Sequence, residues 1–202
     1  PGTCNDSFGT RAPASGGSSL GSGTTSVAFN QAITGLTPAT TYYVCAIAAN
    51  GGGTAYGSVV AFTTPSAPTV TTAAAGSIVS TAAYLNGSAN PNRAATTGYF
   101  RYSTTSPGTC DDTFGSRAPV SGGSSLGSGS TSVAFQEYIS GLSAGTTYYY
   151  CAIASNAEGT AFGMVMSFTT LAAPTVTTAA ATLVTSSSAT LNGSADPNGN
   201  AA

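Results

Sequence analysis

Few residues of this 202-residue chain have side chains that can do chemistry, and these are mainly cysteines and carboxylates. The sequence contains four Cys, six Asp plus Glu and four Arg, but no Lys and no His. Histidine is the commonest general base and metal ligand, and a Ser or Cys nucleophile needs an adjacent base. Cysteines without a C-x-x-C motif do not indicate a zinc site. We therefore predict no catalytic residue, no cofactor and no metal site, and a protein that is not an enzyme.

The carboxylates are scattered rather than clustered. Asp6 and Asp112 occupy matching positions in two similar segments, and Arg11 and Arg117 follow close behind them. A calcium site would need more carboxylates together, and glycoside hydrolysis needs a second acid beside the first. We expect a loop hydrogen bond or an ion pair at each Asp.

The charge content excludes several classes of partner. Charged residues make up 5% of the chain and its net charge is −2, whereas an average soluble protein has about 25% charged residues. Four cations cannot neutralise a run of phosphates, so we expect no nucleic-acid binding. The sequence has neither a polybasic patch nor an apolar run of bilayer length, so we expect no membrane insertion in this segment.

The sequence repeats itself after 106 residues. The segments that begin at Pro1 and Thr40 return at Pro107 and Thr146 without insertion or deletion. About two-thirds of the aligned positions are identical. A unit of this length is a whole domain rather than one turn of a solenoid.

Within one period the pattern predicts β-structure throughout. Short alternating or β-branched segments are separated by Gly, Ser, Asn and Pro, and no window has a helical period. Strands are expected around residues 26–33, 41–49, 58–63, 69–71, 83–85 and 97–102. About seven short strands per period indicate an all-β antiparallel sandwich.

One segment carries a family resemblance. Residues 36–50, LTPATTYYVCAIAAN, resemble the sixth strand of a fibronectin type III domain, whose pattern is L-x-P-G-T-x-Y-x-V-x-A-x-A-x-N; only the Gly is missing, replaced by Ala39. The pieces APTVTTAAA, LNGSANPN and YGSVVAFTT look like the variety of this fold found in tandem in bacterial surface proteins. Leu85 and Leu191 stand where the second strand of animal-type domains has Trp. The resemblance covers essentially the whole chain and implies tandem fibronectin type III-like antiparallel β-sandwich repeats.

The resemblance also implies roles for two tyrosines. With a period of two, Tyr42, Val44 and Ala46 share one face of their strand. Tyr42 and Tyr148 would be corner tyrosines, each with a buried ring and a hydroxyl bonded to nearby backbone. Ordinary core aromatics without a special bond are the alternative.

The order of strands in this family implies where the domains begin and end. Residues 65–170 would form a complete β-sandwich repeat. Residues 1–64 would be the C-terminal part of one repeat, and residues 171–202 the N-terminal part of the next. Both flanking pieces lack the strand around residues 97–102. We expect either a longer tandem chain or neighbouring chains that supply the missing strands.

Four cysteines allow three pairings. The repeat favours Cys4 with Cys45 and Cys110 with Cys151, and the fibronectin-like order places Cys4 just past the strand that neighbours Cys45. Such bridges imply an oxidising compartment, so we expect an extracellular or cell-surface location. Free thiols and disulfides between subunits remain open as alternatives.

The triplets at Asn5, Asn86 and Asn192 match the acceptor pattern for N-glycosylation and are candidate sites.

Two functions fit these features. The first is a structural repeat protein of an extracellular filament, sheath or cell-surface stalk, which self-associates and has one disulfide per repeat. The alternative is an adhesin or polysaccharide-binding spacer of a secreted multidomain protein. In that case exposed aromatic rings such as Tyr43, Tyr99 and Tyr149 would stack on sugars of a glycan partner.

Overall fold

A computed structural model describes residues 2–198, and all regular elements in that range are β-strands paired antiparallel. The all-β fold predicted from the sequence is therefore present. The strands are β1 Thr41–Val44, β2 Ile47–Asn50, β3 Gly53–Tyr56, β4 Val60–Thr63, β5 Thr69–Gly76, β6 Ala82–Asn90, β7 Thr96–Ser103, β8 Ser116–Ala118, β9 Ser124–Gly127, β10 Val133–Ser140, β11 Thr147–Asn156, β12 Gly159–Phe162, β13 Met166–Thr169, β14 Thr175–Thr182 and β15 Thr190–Asp196. The chain divides into two compact units, Pro1–Ser66 and Ala67–Ala202.

Strands β5 to β13 form a sandwich-like pair of sheets, which we call the central sandwich. One sheet has the order β10-β6-β5, and the other has the order β12-β11-β7-β8, with β13 also on β11 and β9 also on β7. Alternate residues of β10, such as Phe135 and Ile139, point into the space between the sheets and are buried. The largest fully buried side chains include Leu85, Phe100 and Tyr150. Hydrophobic alternation with a period of two therefore builds the core here.

A glycine interrupts the edge strand next to β11. Gly163 lies between β12 and β13, and its N–H donates to the Ala152 carbonyl at 2.9 Å. The Ala152 N–H donates to the Thr72 hydroxyl of the opposite sheet at 3.0 Å. A Cβ on Gly163 would lie 2.9 Å from the Thr72 nitrogen, so only glycine leaves room for this threonine.

Residues 2–66, which we call the N-terminal unit, contain two short hairpins. Strand β1 pairs with β4 and β2 pairs with β3, so the single strand expected at residues 41–49 is divided in two. The strand expected at residues 26–33 is wrong for this unit, because those residues form no strand. The corresponding residues 133–140 form β10 by pairing with β6. The same kind of sequence becomes a strand only where a partner strand supplies its hydrogen bonds.

Strands β14 and β15 form a separate pair, which we call the C-terminal hairpin. Its register, Thr175↔Asp196 to Thr182↔Thr190, contains an irregularity after Ala179. Strands β5 and β6 have an irregularity at the matching place, after Ala73. No helix among the described residues is long and apolar enough to cross a membrane.

Candidate functional site

The disulfide of the central sandwich anchors a small apolar cluster on the outer face of the six-stranded sheet. Cys110 is bonded to Cys151, with Cα atoms 6.1 Å apart. Cys151 is buried together with Tyr99 and Ile153, and Phe114 packs against them. Cys151 thus points away from the main core but is covered by the loop that carries Cys110. The disulfide and the cluster fix this long loop to the sheet.

The N-terminal unit has the corresponding bridge. Cys4 is bonded to Cys45, again with a sequence separation of 41 and a Cα distance of 6.1 Å. No free cysteine occurs among the residues that the structure describes. Both bridges therefore join partners 41 residues apart within one repeat, which is the pairing that the sequence repeat favours.

Charged side chains close the edge of the cluster in the central sandwich. The Arg101 Nε donates to Asp112 at 3.0 Å, and the Tyr99 hydroxyl donates to the other Asp112 oxygen at 2.9 Å. Arg117 lies 3.8 Å from the centre of the Tyr99 ring and donates to the backbone carbonyls of Pro119 and Gly122. The ion pair expected at Asp112 is therefore made with Arg101 of β7 and not with Arg117.

The pKa shifts at this loop follow from its hydrogen bonds and burial. Burial raises the pKa of Tyr99, and its hydrogen bond to Asp112 acts in the same direction. The hydroxyl of Thr113 and the N–H groups of Thr113 and Phe114 donate to Asp111 and hold the pKa of this carboxyl below its usual range. In the described range, residues 2–198, no three His, Cys, Asp or Glu side chains gather as metal ligands would. What these groups do in the structure is hold a loop in place.

The two predicted corner tyrosines make matching contacts. The N–H of Thr37 donates to the Tyr42 hydroxyl at 2.9 Å, and the N–H of Ser143 donates to the Tyr148 hydroxyl at 3.0 Å. The ring of Tyr148 is buried and stacks on Phe168, whereas the ring of Tyr42 is only half-buried, contrary to the expectation. A hydroxyl that the sequence reasoning missed completes this corner. The Thr170 hydroxyl donates to the Ser143 carbonyl at 2.6 Å. Its counterpart in the first copy, Thr64, makes the same contact, and this recurrence in the sequence was the signal that could have identified the residue.

The three candidate glycosylation sites have local structural roles. The side-chain Oδ1 of Asn5 accepts from the N–H of Ser7 at 2.9 Å. The amide nitrogens of Asn86 and Asn192 donate to backbone carbonyls of the neighbouring strand, at 2.9 and 2.8 Å. The amide nitrogen is the atom to which a glycan is attached, so Asn86 and Asn192 use it to hold the irregular part of their hairpins.

The aromatic residues considered for sugar stacking lie in different environments. Tyr43 is exposed and Tyr149 is half-buried, but Tyr99 is buried beneath Arg117 and cannot stack on a ligand. A pair that the sequence reasoning missed lies on the outer face of the three-stranded sheet. Tyr84 and Tyr138 have ring centroids 5.1 Å apart, and Tyr138 is 54% exposed.

Three further surfaces carry exposed apolar side chains. A groove of about 440 Å³ beside β5 is lined by Val70, Met164 and Met166. The N-terminal unit and the C-terminal hairpin also expose aliphatic and aromatic residues, among them Phe29 and Leu191. Large apolar side chains exposed together are typical of an interaction surface rather than of a reaction site.

Comparison with known proteins gives little further information. No protein-family model matches the sequence, and no curated protein matches it. Among solved structures, two versions of the sensor domain of the anti-sigma factor RsgI4 from Pseudobacteroides cellulosolvens are similar. The longer is 16% identical, covers 51% of this chain and 88% of its own length, and has a TM-score of 0.34. The shorter is 18% identical, covers 51% of this chain and 93% of its own length, and has a TM-score of 0.35. At these values the likeness supports no statement about what this chain does.

Proposed function

We propose that the chain is a structural module of an extracellular filament, sheath or cell-surface stalk. It would consist of tandem fibronectin type III-like sandwiches with a period of 106 residues. Residues 65–170 would be one complete repeat, with residues 1–64 and 171–202 belonging to its two neighbours. In this role the protein has no catalytic activity and needs no cofactor, and its main partner is another copy of the same repeat.

The observation that carries the proposal is the recurrence of one cross-linked unit. Cys4–Cys45 and Cys110–Cys151 have the same separation of 41 residues, and the hydrogen bond to Tyr42 recurs at Tyr148. A bridge that closes a loop of this size removes entropy from the unfolded chain. Such a domain resists unfolding, which suits a part that bears load. Because disulfides persist in oxidising compartments, they also support a location outside the cell.

The surface composition supports close packing of neighbours. Charged residues are 5% of the chain, and the net charge is −2. Ser, Thr, Ala and Gly are the commonest residues of the sequence, so adjacent copies repel each other weakly. The tandem recurrence of the unit and this surface together favour an assembly over an isolated soluble domain.

Electron microscopy of the purified chain over a range of concentrations tests this function. Sedimentation velocity on the same samples measures the size of the particles. We expect elongated oligomers or fibres that grow with concentration, with an axial period of one or two domains. Monodisperse globular monomers at every concentration would contradict the proposal.

The exposed tyrosine pair favours a second candidate function, that of a polysaccharide-binding spacer. Tyr84 and Tyr138 lie side by side on the open face of the three-stranded sheet, where a sugar ring could stack on Tyr138. Retention of the chain on insoluble polysaccharides, lost in Tyr138→Ala but kept in Tyr43→Ala, would support this candidate. No retention on any polysaccharide would remove it.

A further inference from the structure

The C-terminal hairpin has the same local structure as β5–β6 but a different environment. Every pair of opposite residues in β5–β6 recurs in β14–β15 at residue numbers higher by 106. For example, Thr69↔Asn90 recurs as Thr175↔Asp196. Leu85 of β6 is 0% exposed because the opposite sheet covers it, whereas the matching Leu191 is 86% exposed. The C-terminal hairpin is therefore already formed and presents the face that β5–β6 buries.

The N-terminal unit presents the complementary face. Phe135 and Ile139 of β10 are 7% and 4% exposed, whereas the matching Phe29 and Ile33 are 46% and 42% exposed. Residues 27–34 form no strand, although the matching β10 pairs with β6 along its whole length. This segment has the sequence of a strand and lacks the neighbour that would complete it.

From these two faces we infer that the C-terminal hairpin of one copy docks on the N-terminal unit of a second copy. Strand β15 would pair antiparallel with residues 27–34 in the register that β6 and β10 use in the central sandwich. The counterparts of β10 have residue numbers lower by 106, and those of β6 have numbers higher by 106. This register places Phe29 opposite Gly193 and Ile33 opposite Ala189. The inference rests on the proposed function, and it names the partner and the residues that join.

A second contact follows from the interrupted edge strand. In the central sandwich the Thr72 hydroxyl accepts from the Ala152 N–H at 3.0 Å, in the space left by Gly163. The N-terminal unit has the same interruption, because the Gly57 N–H donates to the Ala46 carbonyl at 2.8 Å. In the docked pair Thr178 occupies the place of Thr72. Its hydroxyl accepts from Ala46 N–H, and its side chain fills the space at Gly57.

The joint has a direction and a limited strength. The two faces differ, so each copy uses one face for the copy before it and the other for the copy after it. Contacts of this heterologous kind produce open chains. The joint would consist of a new sheet, formed by β14, β15 and residues 27–34, and of the contacts that β14 makes with the N-terminal unit. We expect a weaker association than in the central sandwich, because its two halves lie on separate chains.

A pair of engineered cysteines tests the register. Tyr84 and Tyr138 are directly opposite each other on the outer face of β6 and β10, and their counterparts are Thr190 and Ala32. A mixture of Ala32→Cys and Thr190→Cys chains should form intermolecular disulfides under mild oxidation, seen as dimers on non-reducing gels. Gln31→Cys is the matched control, because in the proposed strand its side chain would lie on the other face of the same segment. Equal cross-linking of Gln31→Cys would overturn the proposed register.

The double variant carrying both Ala32→Cys and Thr190→Cys separates the possible outcomes. A ladder of covalent oligomers supports docking between copies, whereas a cross-linked monomer would overturn it. Oligomers in sedimentation without cross-linking would refute this joint while leaving the proposed function standing. Monomers without cross-linking would refute both.

A substitution at Gly57 tests the second contact. Gly57→Ala places a methyl group where Thr178 must pack and should weaken association roughly tenfold, the effect of losing one hydrogen bond and its packing. Gly17→Ala is the control, because a Cβ there would meet no atom within 4 Å. Mass spectrometry of the Cys4–Cys45 bridge checks that the unit still folds. Equal dissociation constants for the two variants would contradict the role of Thr178.

Discussion

At the scale of single residues, Arg117 shows how one side chain can hold a long loop. Its guanidinium covers the Tyr99 ring at 3.8 Å and donates to two backbone carbonyls, those of Pro119 and Gly122. A planar group with several fixed donors can make these contacts at the same time, and a lysine ammonium cannot reproduce them. Arg11 makes the same two carbonyl contacts in the N-terminal unit, with Pro13 and Gly16.

Replacing this arginine by lysine should therefore loosen the loop even though the charge is kept. We expect Arg117→Lys to lower the free energy of unfolding of the central sandwich by about 1–2 kcal/mol, the size of charge-assisted hydrogen bonds lost at a half-buried site. Thermal unfolding followed by circular dichroism measures the change. Arg93→Lys, at an exposed turn position, is the control. Equal melting temperatures for the two variants would show that the guanidinium contacts contribute nothing.

Asp111 provides a pH-dependent contribution at the same loop. Hydrogen bonds from Thr113 and Phe114 lower the pKa of its carboxyl. A group whose pKa is lower in the folded state stabilises the fold above its unfolded pKa. That stability is lost as the pH falls through the folded pKa. The loss should therefore begin near pH 4, where a free Asp carboxyl takes up its proton, at about 3.9, and deepen below it.

The N-terminal unit suggests the variant that tests this pH dependence. Asn5 stands in place of Asp111, and its side-chain oxygen accepts from the N–H of Ser7 at 2.9 Å. Asp111→Asn should thus keep the turn and leave the melting temperature at pH 7 nearly unchanged, while reducing its fall in acid. Melting curves from neutral to acidic pH compare the two proteins. An unchanged acid dependence would show that other carboxyls cause it.

At the scale of strands, the sequence repeat predicted the local structure better than it predicted which strands pair in the sheets. The bridges and the tyrosine contacts depend on short segments, and the structure has them in both copies. A strand depends on a partner that lies far away in the sequence, which periodicity does not reveal. Residues 27–34 share the Val, Ala, Phe and Ile positions of β10, yet only β10 has β6 beside it and forms a strand.

The candidate site was predicted only where residue type and repeat position coincide. The cysteine pairs met both conditions, because a thiol has one main structural use and the spacing recurs. The partner of Asp112 was not predictable, because Arg101 lies on β7 and the pairing depends on how that strand sits beside the loop. Thr72 gave no signal either, since its importance comes from the space at Gly163 in the opposite sheet.

The disulfide is the main cross-link between these elements, and its removal should be costly. Cys110→Ala with Cys151→Ala should destabilise the central sandwich by roughly 4 kcal/mol, the loop-closure entropy for about 40 residues. Hydrogen exchange of β11, read by mass spectrometry, measures the loss. Cys4→Ala with Cys45→Ala is the matched control, because it removes the same kind of bridge from the other unit. Equal loss of protection in β11 from both double variants would contradict a local role for each bridge.

At the scale of the whole molecule, the scarcity of charge decides which force can hold copies together. The chain has four cations and six carboxylates, and one of the cations, Arg101, is already paired with Asp112. Exposed charges in such small numbers contribute little to association. The exposed apolar faces of the N-terminal unit and the C-terminal hairpin offer hydrophobic burial and strand pairing instead. An assembly built on these faces differs from an electrostatic one in its response to salt.

Salt therefore discriminates between the two kinds of assembly. Raising NaCl from about 0.1 M to about 1 M shortens the Debye length from about 10 Å to about 3 Å, which would dissociate an assembly held by surface charges. We expect the association constant from sedimentation equilibrium to change by less than about threefold over this range. Sodium sulfate should increase it, because excluded salts strengthen apolar burial. A loss of association in NaCl would mean that the few charged residues form the contact, and the apolar faces would then not be the surfaces that join one copy to the next.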